Sequence, residues 1–248
     1  YIDPNISFFL DPSCEENYKK NIFDAFSIIS NKTLLKFHEG YIGNISDLII
    51  NCTNITKTTS NESLFVAGEG GPKKIINATN FAVILQGEIF IYRPEKCARP
   101  QIALHEIIHA LGFEHNNNSI SIMYPLVNCN QDFDEYIINE INDLYNITSA
   151  PDLALTKVEG NKSFFYISFL AHLSNVGLKN STNVTLLIFN DGIKIKEIYI
   201  GNLSIGSQNT LYVQNLKVPI FSKEYTFMLR SNEAEISLLN NNKTIIFT

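Results

Sequence analysis

The sequence predicts a mixed α+β unit followed by an all-β sandwich, and three observations carry that prediction. Helical and strand-like periodicities alternate through roughly the first 150 residues. The character changes at Thr148-Ser149-Ala150-Pro151-Asp152, beyond which short runs of Ile, Leu, Phe, Tyr and Val alternate with Gly, Asn and Asp turns. Charge divides at the same place: residues 1–150 carry 10 Lys/Arg against 18 Asp/Glu, a net −8, whereas 151–248 carry 9 against 7, a net +2. The expected units are 1–148 and 152–248. A chain of 248 residues, 45% hydrophobic and 18% charged, is long enough for two cores and too apolar for disorder. No apolar run reaches the roughly 18 residues of a membrane helix. A net charge of −6 without a basic cluster excludes a nucleic-acid partner.

The elements follow in order. The run 6–10 (ISFFL) reads as a strand. Residues 15–30 place Ile22, Phe23, Phe26 and Ile29 at steps of three and four, one face of a helix. Strand-like runs follow at 34–37, 48–52, 81–85 and 88–92. The glycine-rich 68–72 (GEGGP) reads as a loop, and without a following Lys-Ser/Thr it is no phosphate loop. Pro100 suits the first turn of a helix and Gly112 its end. A last helix over 132–145 groups Phe133, Tyr136, Ile137, Ile141 and Leu144 on one side, with Asp132, Asp134 and Glu135 complementing its N-terminus. In the second unit strands are expected near 153–158, 164–170, 185–189, 193–200, 210–213 and 225–229, with Asn190-Asp191-Gly192 as a hairpin turn. About seven strands in roughly 98 residues is the size of an immunoglobulin-like sandwich.

Cys14, Cys52, Cys97 and Cys129 form no CxxC pair; an even count at wide spacing suits two disulfides and an oxidising compartment. Of three connectivities, the expected one pairs Cys97 with Cys129, on either side of the motif described next, and leaves Cys14 with Cys52. Fourteen Asn-x-Ser/Thr sequons, Asn44, Asn54 and Asn61 among them, favour a glycosylated, exported surface. An AT-rich genome that overuses Asn would produce a similar count. The sequence opens at Tyr1 with neither Met nor an apolar leader, so the expectation is a secreted or cell-surface protein whose signal peptide is absent from this sequence.

One string concentrates the chemistry: His105-Glu106-Ile107-Ile108-His109-Ala110-Leu111-Gly112-Phe113-Glu114-His115. On a helix, His105 and His109 differ by about 40° in direction and stand one turn apart, so both imidazoles can reach one ion. Glu106 is adjacent and near that face. Gly112 can take the left-handed backbone that turns the chain sharply and returns His115 as a third nitrogen ligand. Three neutral imidazoles leave the fourth zinc position open, which marks a catalytic ion over a structural one. The other two histidines, His38 and His172, read as ordinary surface or hydrogen-bonded residues.

The string HEIIHALGFEH resembles the HExxHxxGxxH signature of the metzincin metallopeptidases, and Ser121-Ile122-Met123-Tyr124-Pro125 looks like their Met-turn. The Met-Tyr-Pro form and short spacing are most similar to the matrixin branch. Archaemetzincins carry cysteines directly after the third histidine, where Asn116-Asn117-Asn118 stands here. The resemblance implies a zincin-like catalytic domain: a mixed, twisted sheet, an active-site helix and a C-terminal helix. It implies a zinc endopeptidase with the ion on His105, His109 and His115, and Glu106 as general base toward zinc-activated water. Met123 would pack beneath the ion without ligating it. Tyr124, Leu126 and Val127 would form the pocket for the substrate residue after the cut, and an edge strand within 64–85 would hold protein or peptide substrates extended. The His/Asp-rich loop by which matrixins hold a second zinc and calcium has no counterpart, so one zinc is expected and calcium is unsupported. No PRCGxPD-like cysteine switch is present.

Pro151-Asp152-Leu153, Leu173-Ser174-Asn175-Val176-Gly177 and Asn190-Asp191-Gly192 look like the CARDB-type, fibronectin-III-like modules of exported microbial proteins. That implies a spacer or docking role and a cell-surface or extracellular partner for the sandwich. The alternative function is an exported surface or adhesion protein that keeps a zinc site without turnover. Retention of Glu106 speaks against it, since a drifting site loses its general base readily.

Overall fold

The structure, a computed structural model, describes residues 1–40, 45–53, 55, 57–58, 65–79 and 81–247; the sequons at Asn44, Asn54 and Asn61 lie outside the described residues. The chain divides into two compact units, Tyr1–Ile75 with Ile84–Ile147, and Thr148–Thr248 with Ile76–Val83.

Up to Ile147 the chain runs β1 (Asn5–Leu10), α1 (Glu16–Lys32), β2 (Lys36–Glu39), β3 (Leu48–Cys52), β4 (Lys57–Thr58), β5 (Phe65–Val66), β6 (Gly68–Ala78), β7 (Phe81–Ile91), α2 (Gln101–Ala110) and α3 (Glu135–Tyr145). Five strands form one sheet in the order β2-β1-β3-β7-β6. β1 is parallel to both β2 and β3, and β3 is parallel to β7. Parallel neighbours need a crossover, and α1 supplies it between β1 and β2. Ile22, Ala25, Phe26 and Ile29 of α1 pack in one core with Ile107 and Ile108 of α2 and with Ile137 and Ile141 of α3. Phe23, Tyr136 and Leu144, expected on the apolar faces of their helices, are exposed at the rims of those stripes. Disulfides join Cys14 to Cys52 and Cys97 to Cys129.

Three sequence expectations are corrected here. The glycine-rich 68–72 is the beginning of strand β6, for a reason that lies in the site described below. The runs 81–85 and 88–92 are one strand, β7. Within it Gly87 leaves room for Tyr1 Oη, Leu48 and Ala110, which stand where its Cβ would be. The last helix begins at Glu135 with Asp134 as its cap, while Asp132 turns to Arg99 in an ion pair of 2.5 Å.

The second unit contains β8 (Leu153–Ser163), β9 (Tyr166–Asn175), β10 (Ser181–Asn190), β11 (Ile193–Leu203), β12 (Gln208–Lys217), β13 (Glu224–Arg230) and β14 (Asn242–Ile246). They form a four-stranded sheet, β11-β10-β13-β14, and a three-stranded one, β12-β9-β8, with antiparallel pairing throughout. Alternate residues point into a common core: Ile167, Phe169 and Ala171 from β9 meet Val184, Leu186 and Ile188 from β10 and Tyr225, Phe227 and Leu229 from β13. Asp191 and Gly192 have φ of +49° and +76°, the left-handed pair a two-residue hairpin turn requires. β14 was not expected, because its Asn-rich start hides a short strand. Among the described residues, no helix is long and apolar enough to cross a membrane.

Candidate metal centre

The helix α2 runs through the interior: every one of its residues except His109 is buried. Its end is set by Gly112, whose φ of +98° is open to glycine and strained for other residues. The Phe113 N–H closes the turn on the Ile108 carbonyl at 3.3 Å. The reversal places the His115 ring beside those of His105 and His109.

The three Nε2 atoms lie 3.0, 3.1 and 3.2 Å from one another. Nitrogen ligands at ~2.05 Å around a tetrahedral zinc would stand roughly 3.3 Å apart, so the spacing fits one ion held by all three. Hydrogen bonding fits it too. His105 Nδ1 lies 2.6 Å from the Ile122 carbonyl, and His109 Nδ1 lies 2.7 Å from the Phe113 carbonyl. A carbonyl only accepts, so both Nδ1 atoms carry the proton and both Nε2 lone pairs point at the shared centre. Converging lone pairs repel unless a cation sits among them. Burial drives the His105 pKa down to about 4 and lowers that of His109, so both rings are neutral and ready to ligate at pH 7.

The turn at 121–123 buttresses this arrangement. Met123 is fully buried, its N–H donates to Ser121 Oγ at 3.1 Å, and its carbonyl accepts the Asn116 N–H at 2.9 Å. One tight turn, 121–123, thus supports His105 through Ile122 and the His115 segment through Met123.

Glu106 is 5% exposed and next to the triad on the same helix. Burial pushes its pKa up to about 8; the charge of Glu69 adds to the rise, and the Gly70 N–H donated to its carboxylate opposes it. A dication at the three imidazoles would pull it down again. The glycines of β6 make this approach possible. A Cβ on Gly68 would stand 2.7 Å from Glu106 Cγ and 2.9 Å from its Oε1, and one on Gly70 would collide with the Glu106 carbonyl. This is why a run that reads as a loop is a strand: its glycines are spaced by two, on the face that meets α2.

A cleft of about 600 Å³ opens over the triad. β5 and the start of β6 contribute Phe65, Val66 and Glu69 to one wall, and Pro125, Leu126 and Val127 form the other. Tyr124 is half-buried and is not part of the lining. The second wall is tied to the start of α2 by the Cys97–Cys129 disulfide, by the Arg99–Asp132 pair and by Gln101. Gln101 Nε2 donates to the Gln131 carbonyl at 2.7 Å, and Gln131 Nε2 donates in turn to the Leu126 carbonyl at 2.9 Å. On the first wall, Glu69 accepts from Tyr92 Oη at 2.7 Å and pairs with Lys57. Sequence reasoning missed Gly68, Gly70, Glu69 and Phe65; the signal available was the Gly-x-Gly alternation itself. His38 is exposed on β2, and His172 Nδ1 is hydrogen-bonded to Thr210 Oγ1 at 3.1 Å; neither joins a metal-type cluster among the described residues.

The family model described as Matrixin, of the M10 peptidases, matches residues 7–147. No curated protein sequence matches the chain. Solved structures similar to it include a CARDB domain from Pyrococcus furiosus, described in complex with di-metal ions, at 16% identity over 41% of this chain and 94% of that one, with a TM-score of 0.34. A domain of a candidate cell surface protein from Methanosarcina acetivorans is similar at 18% identity over 39% of this chain and 90% of that one, also with a TM-score of 0.34.

Proposed function

The chain belongs to the matrixin family, which implies a zinc metallopeptidase, and from that premise we propose that it is an endopeptidase acting on extended protein substrates. The observation that carries this reading is the convergence of the three histidine Nε2 atoms, 3.0–3.2 Å apart, one residue along the helix from a buried carboxylate. His105, His109 and His115 would hold the zinc, which would supply Lewis acidity toward the scissile carbonyl and the attacking water.

The chain's own groups do the rest. Glu106 accepts the proton of the attacking water and passes it to the leaving amine. The Gly70 N–H fixes the orientation of that carboxylate. The Nδ1–carbonyl bonds of His105 and His109 hold both rings in the ligating tautomer. β6 is the last strand in the sheet order, so its outer edge is available to pair with a substrate backbone. Leu126 and Val127 offer an apolar seat for the substrate residue after the cut, and Met123 is buried in the turn that precedes them. The peptidase domain is assigned to 1–148 and the sandwich, as a docking or spacer module, to 152–248. Two disulfides support a secreted or cell-surface location.

The test is hydrolysis of an unstructured protein such as casein by wild type beside Glu106→Ala, with zinc content determined on both. At equal zinc, near one ion per chain, the variant is expected to lose about 10²–10⁴-fold in kcat/KM. Equal turnover by the two would overturn the role of Glu106. A folded, metal-replete sample without zinc would overturn the ligand assignment.

A further inference from the structure

One end of the sandwich, opposite the start of β8, carries an apolar surface that the core does not use. Three turns meet there: β8–β9 at Phe164-Phe165, β10–β11 at Asp191-Gly192, and β12–β13 over 218–223. They are braced against one another. Lys162 Nζ donates to the carbonyls of Phe164 at 2.8 Å and Ile220 at 2.6 Å, and the Val218 N–H donates to the Phe165 carbonyl at 2.6 Å. Asn190 Nδ2 donates to the Glu224 carbonyl at 3.0 Å, and Ser222 Oγ donates to Asn190 Oδ1 at 2.8 Å, which joins the middle turn to the third.

On this platform Phe164 is 76% exposed, Phe221 92% and Ile193 70%, with Phe165 and Tyr166 partly exposed beside them. Phe164 has a φ of +47°, a backbone region that bulky residues rarely occupy, and the turn holds its ring outward. Single exposed apolar residues are ordinary on any surface. Several on three adjoining tips, held by a hydrogen-bonded frame, form a patch with a purpose. Lys194 is paired with Glu197 at 2.7 Å, and the other charges around it are Lys162, Lys217 and Lys223 against Asp191 and Glu224, so the patch is rimmed by net positive charge in a chain that is acidic as a whole.

We propose that this end of the sandwich docks on a lipid bilayer bearing anionic headgroups, with the Phe164, Phe221 and Ile193 tips entering the interface. Aromatic side chains favour the headgroup level, and lysines reach back from it to lipid phosphates. Separate protruding tips match a soft surface that closes around them better than they match a flat protein face. The proposal stands apart from the peptidase reading, because it uses no residue of the cleft.

The full chain is mixed with vesicles of phosphatidylcholine, alone or with phosphatidylglycerol, and bound protein is separated by sedimentation. Wild type is expected on the phosphatidylglycerol vesicles, less so as salt rises. Phe164→Ser with Phe221→Ser weakens that partition roughly ten-fold or more, and each Lys→Glu change at 217 or 223 weakens it roughly five-fold or more. The chain contains no Trp, so Phe221→Trp introduces a single indole at the tip, whose selectively excited fluorescence shifts to the blue when vesicles are added. Binding unchanged in the double Ser variant, an unshifted indole emission from the Phe221→Trp variant or no binding at low salt would each overturn the proposal. So would self-association without vesicles that the double variant abolishes, which would assign the patch to a second copy of the chain.

Discussion

A buried amide of the sandwich and two imidazoles of the first unit use their polar atoms in opposite ways. In the sandwich, Asn175 is wholly buried and uses everything it has: Nδ2 donates to the carbonyls of Lys179 at 2.7 Å and Leu203 at 3.0 Å, while Oδ1 accepts from the N–H groups of Asp152 at 3.2 Å and Gly177 at 3.1 Å. An amide has two donors and two acceptor sites, and all four are filled. In the first unit, His105 and His109 each satisfy one nitrogen on a carbonyl and leave the other aimed at a common point. A saturated buried group is a structural joint. Half-satisfied groups whose free atoms converge on one point are a candidate site, because a single bound ion completes them all.

The contrast can be broken most forcefully in the sandwich. Asn175→Ala strands two carbonyls and two N–H groups at the junction of β9 with the loops around it, and should cost about 4 kcal/mol in that unit's stability. Chemical unfolding monitored on the second unit checks it, and hydrolysis well below the transition should be unchanged. A smaller effect is expected from Gly70→Val, whose side chain must displace the Glu106 backbone. Hydrolysis should fall about 100-fold, near 2.7 kcal/mol of barrier, with unfolding of the sandwich unaltered. Full activity in that variant would show that β6 does not fix the carboxylate.

The gentlest probe is pH on metal-free protein. Glu106 has a folded pKa raised to about 8, so the stability it contributes is full below its ordinary value of 4.5 and is lost as pH rises through 8. His105, lowered to about 4, works in the other direction: its contribution is present above 6.5 and is lost as pH falls through 4. The two slopes oppose between 4.5 and 6.5; from 6.5 to 8 the Glu106 slope remains, opposed by the Tyr1 amino group, whose pKa burial lowers from 8.0. Metal-free protein should therefore lose up to about 1.4 kcal/mol per pH unit in that window, and Glu106→Gln should flatten the loss. Unfolding midpoints compared at pH 6.5 and pH 8 would decide it.

The ligand helix was readable because its determinants are local: two histidines one turn apart, and a glycine where the backbone must reverse. The alternating strands of the sandwich were readable for the same reason, since Ile167-x-Phe169-x-Ala171 states its own period. What escaped depends on partners distant in sequence. Gly68 and Gly70 are strand residues only because Glu106 stands against them, and the local code assigns glycines to loops. Asp132 reads as a helix-terminal charge until Arg99 arrives from 33 residues away. Phe164 falls at the start of a run expected to be a strand, and only the folded turn puts it outside.

Both covalent links belong to the unit that leaves imidazoles incomplete, and the sandwich has none. Cross-links at separations of 38 and 32 residues remove disorder from the unfolded chain, worth about 4 kcal/mol apiece on a chain-entropy account. The metal-binding unit therefore gains stability by having a poorer alternative as well as by better packing. In a reducing medium that advantage disappears, and zinc bound at the three histidines would carry a larger share of the stability beside the apolar core. Metal loading and folding would then be more tightly linked than in the oxidised protein.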